Sequence, residues 1–254
     1  MTLQIEQLQL RRGQRTLTSP FNLTIDNGQC WGILGSNGSG KTTLLHTLAG
    51  LHPEYSGRLL LNDIDISTIA RREFARQVGL LPQINEEAFP GSALETVLTG
   101  RHPHLKLWQW ESEQDRQLAR DALAQVDLGG FEQRNMLSLS GGERRRLYIA
   151  TLLAQQPQLY LLDEPANHLD LRHQHQILEH LQQLTRNGNN SVIMVLHDPN
   201  LAERYCDHVL LMHEDGKVEG GTSKSLMTEE RLSELYGYPI RKVENDQRSF
   251  FIAG

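Results

Sequence analysis

Trp31-Gly32-Ile33-Leu34-Gly35-Ser36-Asn37-Gly38-Ser39-Gly40-Lys41-Thr42 is a short apolar run followed by a glycine-rich octet, and from Thr43 to Leu51 apolar residues recur at helical spacing. The octet fits the phosphate-loop pattern, set between a strand and a helix as that pattern requires. Phosphates concentrate negative charge, so the loop must offer many backbone N–H groups at close range. Glycines permit the approach, and the helix N-terminus adds the positive end of its dipole. In this reading Lys41 reaches the β- and γ-phosphates and Thr42 offers its hydroxyl to Mg²⁺. Gly35, Ser36, Asn37, Gly38, Ser39, Gly40, Lys41, Thr42 and Thr43 become the candidate nucleotide contacts, with ATP and Mg²⁺ as the expected cofactors. A chance glycine-rich turn would not place every position and both flanks in register.

Upstream, Leu3, Ile5, Leu8 and Leu10, then Phe21, Leu23 and Ile25, then the run at Trp31 read as strands; downstream, Arg58 to Ile66 does too. Residues 86–156 are mostly helical in pattern: Leu118, Ala119, Ala122, Leu123 and Val126 mark one helix face, with Gly129 and Gly130 as its stop signal. Leu159 to Leu162 and Val192 to Leu196 are wholly apolar runs separated by a helix with the stripe Ile177, Leu181, Leu184. Such runs alternating with helices indicate a parallel sheet covered on both faces. The expected fold is therefore α/β, a P-loop NTPase core with a mainly parallel sheet, an N-terminal antiparallel β portion and an inserted helical subdomain, all within residues 1–240. The end of the chain is expected to form a helix from about Thr228 and a hairpin from Pro239 to Val243 and Ser249 to Ile252, residues 241–254 making a tail.

Leu159-Tyr160-Leu161-Leu162-Asp163-Glu164 has the form of a buried strand delivering carboxylates to the carboxyl edge of the sheet, where Asp163 would join the magnesium shell. Glu164, across the pleat, is the candidate general base for an attacking water, a role worth ~10²–10⁴-fold in rate. A strand ending in charged residues merely as a polar stop is the plain alternative, and the nearby phosphate loop disfavours it. Ser140-Gly141-Gly142-Glu143 reads as a capping box, with Ser140 at the N-cap and Glu143 reaching back. Two glycines in a first helical turn lose ~1 kcal/mol each of helix stability. That loss makes sense where an anion must approach bare N–H groups, so Ser140, Gly141 and Gly142 form a second candidate phosphate contact.

Taken with Leu139 before the capping box and Pro165 after Glu164, these motifs resemble the set found in the ATPase domains of ABC transporters, in order and spacing over essentially the whole chain. Gln83, after a strand from Val78 to Leu81, stands at the family's Q-loop; Asn167-His168-Leu169-Asp170 stands at its D-loop; His197 stands at its switch histidine. The resemblance implies a head-to-tail dimer with a second copy, ATP lying between one subunit's phosphate loop and the other's signature helix, so that Ser140 meets the γ-phosphate in the partner's site. It implies that Gln83 joins Thr42 and Asp163 around Mg²⁺, that His197 orients γ-phosphate and water, and that Glu164, His197, Gln83 and Lys41 form the catalytic group. Gln83 would also couple the site to integral membrane permease subunits. Gly100-Arg101-His102-Pro103-His104, with residues 170–174 and 197–202, resembles the subgroup that energises uptake of iron chelates, haem and cobalamin, which implies a substrate-binding protein as an indirect partner. The competing readings are the ATPase subunit of an exporter or of another metal or oxyanion importer, and a soluble ABC-type ATPase. The last usually carries paired nucleotide domains or long coiled-coil insertions, which are lacking here. A sensor without turnover would lack Glu164.

Three positions depart from the family pattern: Arg12, before Gly13, where an aromatic usually stacks on adenine; Ala166 for a threonine; and Thr151 for an arginine. Composition narrows the partners further. The net charge of −6 offers no field for phosphate backbones, and basic runs are as short as Arg144 to Arg146, so nucleic acid is not an expected partner. No apolar run approaches the ~20 residues of a spanning helix. The chain is accordingly expected at the cytoplasmic face of a membrane, held there by its permease. Cys30 and Cys206 suit buried thiols in a reducing compartment. His168, His173, His175 and His180 do not place three rings on one helical face, and like His102 and His104 they read as solvated or loop residues in preference to zinc ligands.

Overall fold

A computed structural model describes residues 1–83, 90–106, 108–186, 188–245 and 248–254. In chain order it contains β1 (Leu3–Arg12), β2 (Arg15–Thr16), β3 (Phe21–Ile25), β4 (Cys30–Gly35), α1 (Lys41–Leu48), β5 (Tyr55–Leu61), β6 (Ile64–Asp65), α2 (Arg71–Gln77) and β7 (Val78–Leu81). Then follow α3 (Ala93–Leu98), a 3₁₀ turn over Thr99–His104, α4 (Glu113–Gln125) and α5 (Gly141–Gln155). The chain closes with β8 (Leu159–Asp163), α6 (Leu171–Arg186), β9 (Ser191–Val195), α7 (Pro199–Tyr205), β10 (His208–Met212), β11 (Val218–Thr222), α8 (Ser223–Leu226), α9 (Glu229–Tyr236) and the hairpin β12 (Ile240–Asn245) and β13 (Arg248–Ala253). Residue 86, where the helical insert is expected to begin, lies outside the described residues.

The main sheet runs β11-β10-β4-β9-β8-β7, and its five strands from β10 to β7 are parallel. Its apolar runs are buried on both faces, and the two-residue period of a strand sorts them. Tyr160, Leu162, Val192 and Met194 enter the core shared with α3, α4 and α5, whereas Leu161, Ile193 and Val195 enter a second core with α1 and the antiparallel sheet of β1, β3 and β5. Each fully buried aliphatic side chain contributes ~1.5–3 kcal/mol, so the two cores fix the sheet between the helical insert and the N-terminal β portion. A shift of β1 by one residue would expose its whole apolar set.

Several local readings need correction. The run from Arg58 to Ile66 is two strands, because Asn62 and Asp63 take φ of 51° and 63° and make a tight hairpin turn between β5 and β6. The first helix begins at Lys41 and ends at Leu48, without reaching Leu51. Gly129 and Gly130 do not stop α4, which ends at Gln125; Asp127, at φ 59°, takes the left-handed position instead. Two of the three arginines at 144–146 are buried, so that run is no basic patch. Cys30 and Cys206 are both buried and free. They are also neighbours: the Cys30 sulfur, followed by burial, pushes the Cys206 thiol pKa well up. At the C-terminal end Asn200 pairs with the backbone of β13, its side chain donating to Phe251 O at 3.0 Å and accepting from Phe251 N at 2.7 Å. Among the described residues no helix is long and apolar enough to cross a membrane.

Candidate functional site

β4, β9, β8 and β7 all end on the same edge of the sheet, and from those ends come the phosphate loop, His197, Asp163 with Glu164, and Gln83. Open parallel sheets bind ligands at this edge. A cleft of about 330 Å³ lies there, lined among others by Asn37, Gly38, Gly40, Lys41, Thr42, Thr43, Gln83, Glu164 and His197. A larger hollow of about 810 Å³ between α6, α7 and β13 contains none of the motif residues that bind phosphate, and size alone does not make it the site. The loop's shape needs its glycines. A Cβ on Gly35 would fall 2.4 Å from Met212 O, and Gly40 caps α1 at φ 104°, a conformation that L side chains rarely adopt.

Lys41 is buried, its Nζ donating to Gly35 O and Ser36 O, both at 2.8 Å. Burial lowers its pKa, an effect opposed by the charges of Glu164 and Asp163. Asp163 is fully buried, and neither carboxylate oxygen has a hydrogen-bond partner of normal geometry. Burial raises its pKa, while the nearby Thr42 hydroxyl favours the charged form. The hydroxyls of Ser36 and Ser39 are likewise buried without partners. Unsatisfied polar atoms are rare in folded interiors, and among the described residues half of the buried side-chain atoms without a partner lie on this loop and the carboxylate facing it, the others being on His46, Arg144, His180 and His208.

Glu164 sits at φ 53°, a strained position for a residue with a side chain. Its two oxygens are held separately, Oε1 by His197 Nε2 at 2.5 Å and Oε2 by the side chain of Asn167. Its backbone is held by Arg145, which the sequence shows merely as one of three consecutive arginines. The Arg145 guanidinium donates to Asp163 O, to Glu164 O at 2.8 Å, to Pro82 O at 3.2 Å and to Pro165 O at 3.4 Å. Burial holds its pKa down to about 10. One side chain of α5 thus ties the end of β8 to the segment that carries Gln83. The signal that could have found it is its place on the buried face of α5, beside Leu147 and Ile149.

Arg12 lines the cleft wall, and so does Arg15, which the sequence reading missed. The two are cross-strand partners in the β1–β2 hairpin, so their side chains share a face. Ser140, Gly141 and Gly142 do not line this cleft. Ser140 caps α5 in a complete capping box with Glu143. Gly142 instead packs on the turn after Asn167, where a Cβ would lie 3.2 Å from His168 O. The segment at 100–104 is structural: Arg101 is buried, pairs with Asp115 at 2.9 Å and caps α5 through Ala154 O at 2.8 Å, and His104 reaches Gln155 O at 2.8 Å. His104 is thus no solvated residue; nor is His175, bonded to the Tyr205 hydroxyl at 2.7 Å, or His173, bonded to Asp170 at 2.8 Å.

Residues 18–167 match the family described as ABC transporter. The hemin import ATP-binding protein HmuV of Burkholderia ambifaria is 35% identical over 93% of this chain and 93% of its own length. The petrobactin import ATP-binding protein FpuD of Bacillus anthracis is 35% identical over 92% of this chain and 86% of its own. Among solved structures, one described as an inward-facing ABC transporter of metal-chelate type aligns with 100% of this chain and 97% of its own at a TM-score of 0.86 and 28% identity.

Proposed function

Because the chain belongs to the ABC transporter family, whose ATP-binding proteins hydrolyse ATP, we propose that it is the ATPase subunit of a membrane importer carrying an iron chelate, haem or a related metal complex. The observation that carries the catalytic part is the carboxylate of Glu164, at the mouth of the phosphate-loop cleft and held on one oxygen by His197 and on the other by Asn167. A carboxylate so positioned accepts a proton from water attacking the γ-phosphate. Lys41 already bonds two loop carbonyls and exchanges them for phosphate oxygens, a charge-assisted contact. Asp163, Thr42 and Gln83 fit a magnesium ion, since the two buried Asp163 oxygens otherwise lack partners. The ion, when bound, neutralises phosphate charge. His197 positions Glu164 and the water.

The exposed start of α5 lies outside its own cleft, which supports a role for Ser140, Gly141 and Gly142 in the site of a second, head-to-tail copy. The cargo class rests on the hemin and petrobactin relatives and the metal-chelate neighbour. Such a subunit works against integral permease subunits at the cytoplasmic membrane face, with a substrate-binding protein delivering the cargo. Glu164→Gln tests the reading: ATP binding persists, turnover falls by ~10² or more, and an ATP-bound dimer accumulates. Near-normal turnover would sink the assignment. Mixing Lys41→Ala with Ser140→Ala chains tests the shared site, because one composite site then carries both defects and the other neither. Haem and ferric-siderophore uptake by the complex with its permease tests the cargo.

A further inference from the structure

Trp108 is 94% exposed and Trp110 84%, against 3% for Trp31. Two indoles left almost wholly in water are an anomaly for a folded surface. Trp108 lies in a turn and Trp110 follows it closely; beside them Gln109 N donates to Lys106 O at 3.0 Å, and Lys106 N to Gln109 Oε1 at 3.0 Å. Trp108 occupies this turn at φ 66°, where glycine or asparagine would fit with less strain. Below it, Leu105 is buried, and Arg72 and Arg76 of α2 donate to Pro103 O at 3.1 and 2.7 Å, so the turn is moored beside α2. Arg71, Arg72, Arg76 and Lys106 are exposed there. The acids of the same segments are Glu73, Glu111 and Glu113, the last engaged by Arg120, which leaves positive charge in excess.

We propose that this turn, with the basic face of α2, is a contact with the anionic surface of a lipid bilayer. Indoles favour the bilayer–water interface, where an apolar ring and a polar N–H are both accommodated. Exposed arginines and lysines beside them are attracted to anionic headgroups over about a Debye length. Tryptophan and arginine are also the side chains of protein hot spots, so the test carries a permease arm; the exposed Lys106 beside them, of a residue type depleted from protein interfaces, sides with the lipid. The contact would seat the subunit against the membrane independently of nucleotide.

The test uses the full chain with vesicles of phosphatidylcholine alone and of equal parts phosphatidylcholine and phosphatidylglycerol, read by co-sedimentation and tryptophan emission. Trp31, buried and stacked on His208, serves as the unresponsive reference. The expected result is a blue shift and binding with the anionic vesicles alone, weakened by salt. Trp108→Ser with Trp110→Ser should lower partitioning by about tenfold or more and leave ATPase activity in solution unchanged. Arg71→Gln with Lys106→Gln, which spares the bonds to Pro103, should reduce the preference for anionic lipid. Absence of wild-type binding, or equal binding by the tryptophan variant, overturns the proposal. So does loss of co-purification with the permease in a variant whose parent ignores vesicles, since the partner is then a protein.

Discussion

Replacing Arg145 by methionine keeps the apolar stem in α5 and removes the guanidinium that is bonded to the carbonyls of Pro82, Asp163, Glu164 and Pro165. Each buried carbonyl left unsatisfied costs ~1–3 kcal/mol. Against that, the variant no longer desolvates a cation, and this penalty is real, since burial, opposed by the charges of Asp163 and Glu164, draws the Arg145 pKa from 12.5 to about 10. The losses outweigh the relief, because truncating one partner of a buried charged network exceeds what the intact network contributes; a net destabilisation of ~2–4 kcal/mol follows. The catalytic effect is more specific. Glu164 keeps its left-handed conformation with support from this arginine, and such a conformation carries ~1–3 kcal/mol of strain. Release of that strain would misplace the carboxylate and slow turnover by about one to two powers of ten, at ~1.4 kcal/mol for each. Urea unfolding, steady-state ATPase and ATP affinity should be measured on the same preparation. The expected pattern is a lower unfolding midpoint, a lower kcat and an ATP Kd changed by little, because Arg145 is not among the residues lining the cleft. An unchanged kcat and midpoint, or a lost affinity with kcat retained, would refute the reasoning.

Arg12→Tyr should tighten ATP binding and raise the preference for ATP over GTP, since an aromatic platform on a base is worth ~1–3 kcal/mol and a charged, flexible guanidinium holds it less firmly; identical dissociation constants for wild type, Arg12→Tyr and Arg12→Ala make Arg12 a bystander. Arg12→Gln with Arg15→Gln should flatten the salt dependence of ATP binding, which titrations at two ionic strengths would show. Asp115 is held at a pKa of about 2, below its ordinary 3.8, chiefly by the Ser112 hydroxyl and also by Arg101. Its stabilisation is therefore complete above pH 3.8 and lost as pH falls through 2, so Asp115→Asn should cost about 2 kcal/mol at neutral pH and remove that segment of the stability profile. Gly100→Ala would set a Cβ 2.2 Å from Thr151 O, a backbone clash between the 3₁₀ turn and α5, and should destabilise by ~2–4 kcal/mol in denaturant titration.

What could be read from the sequence alone shares one property: its geometry is set by residues adjacent in the chain. The phosphate loop between β4 and α1, the carboxylates closing β8 and the capping box opening α5 are each decided by local backbone preferences and by hydrogen bonds spanning three or four residues. The apolar runs were equally legible, because a strand buried on both faces is apolar at consecutive positions and not at alternate ones. The family resemblance then supplied Gln83 and His197, whose positions follow strands but whose roles no short pattern states. Tertiary structure decided the rest. That Arg145 grips the backbone of Glu164 across 19 positions, that Arg12 and Arg15 share one wall of the cleft, and that Arg101 meets Asp115 across 14 depend on how separate elements pack. An arginine's fate is written in no local pattern: the same side chain is a solvated surface group or a buried clamp according to whether several carbonyls converge on it. That convergence comes into being only when the helical insert closes onto the parallel sheet, since burying the cation without those carbonyls would be too unfavourable to persist.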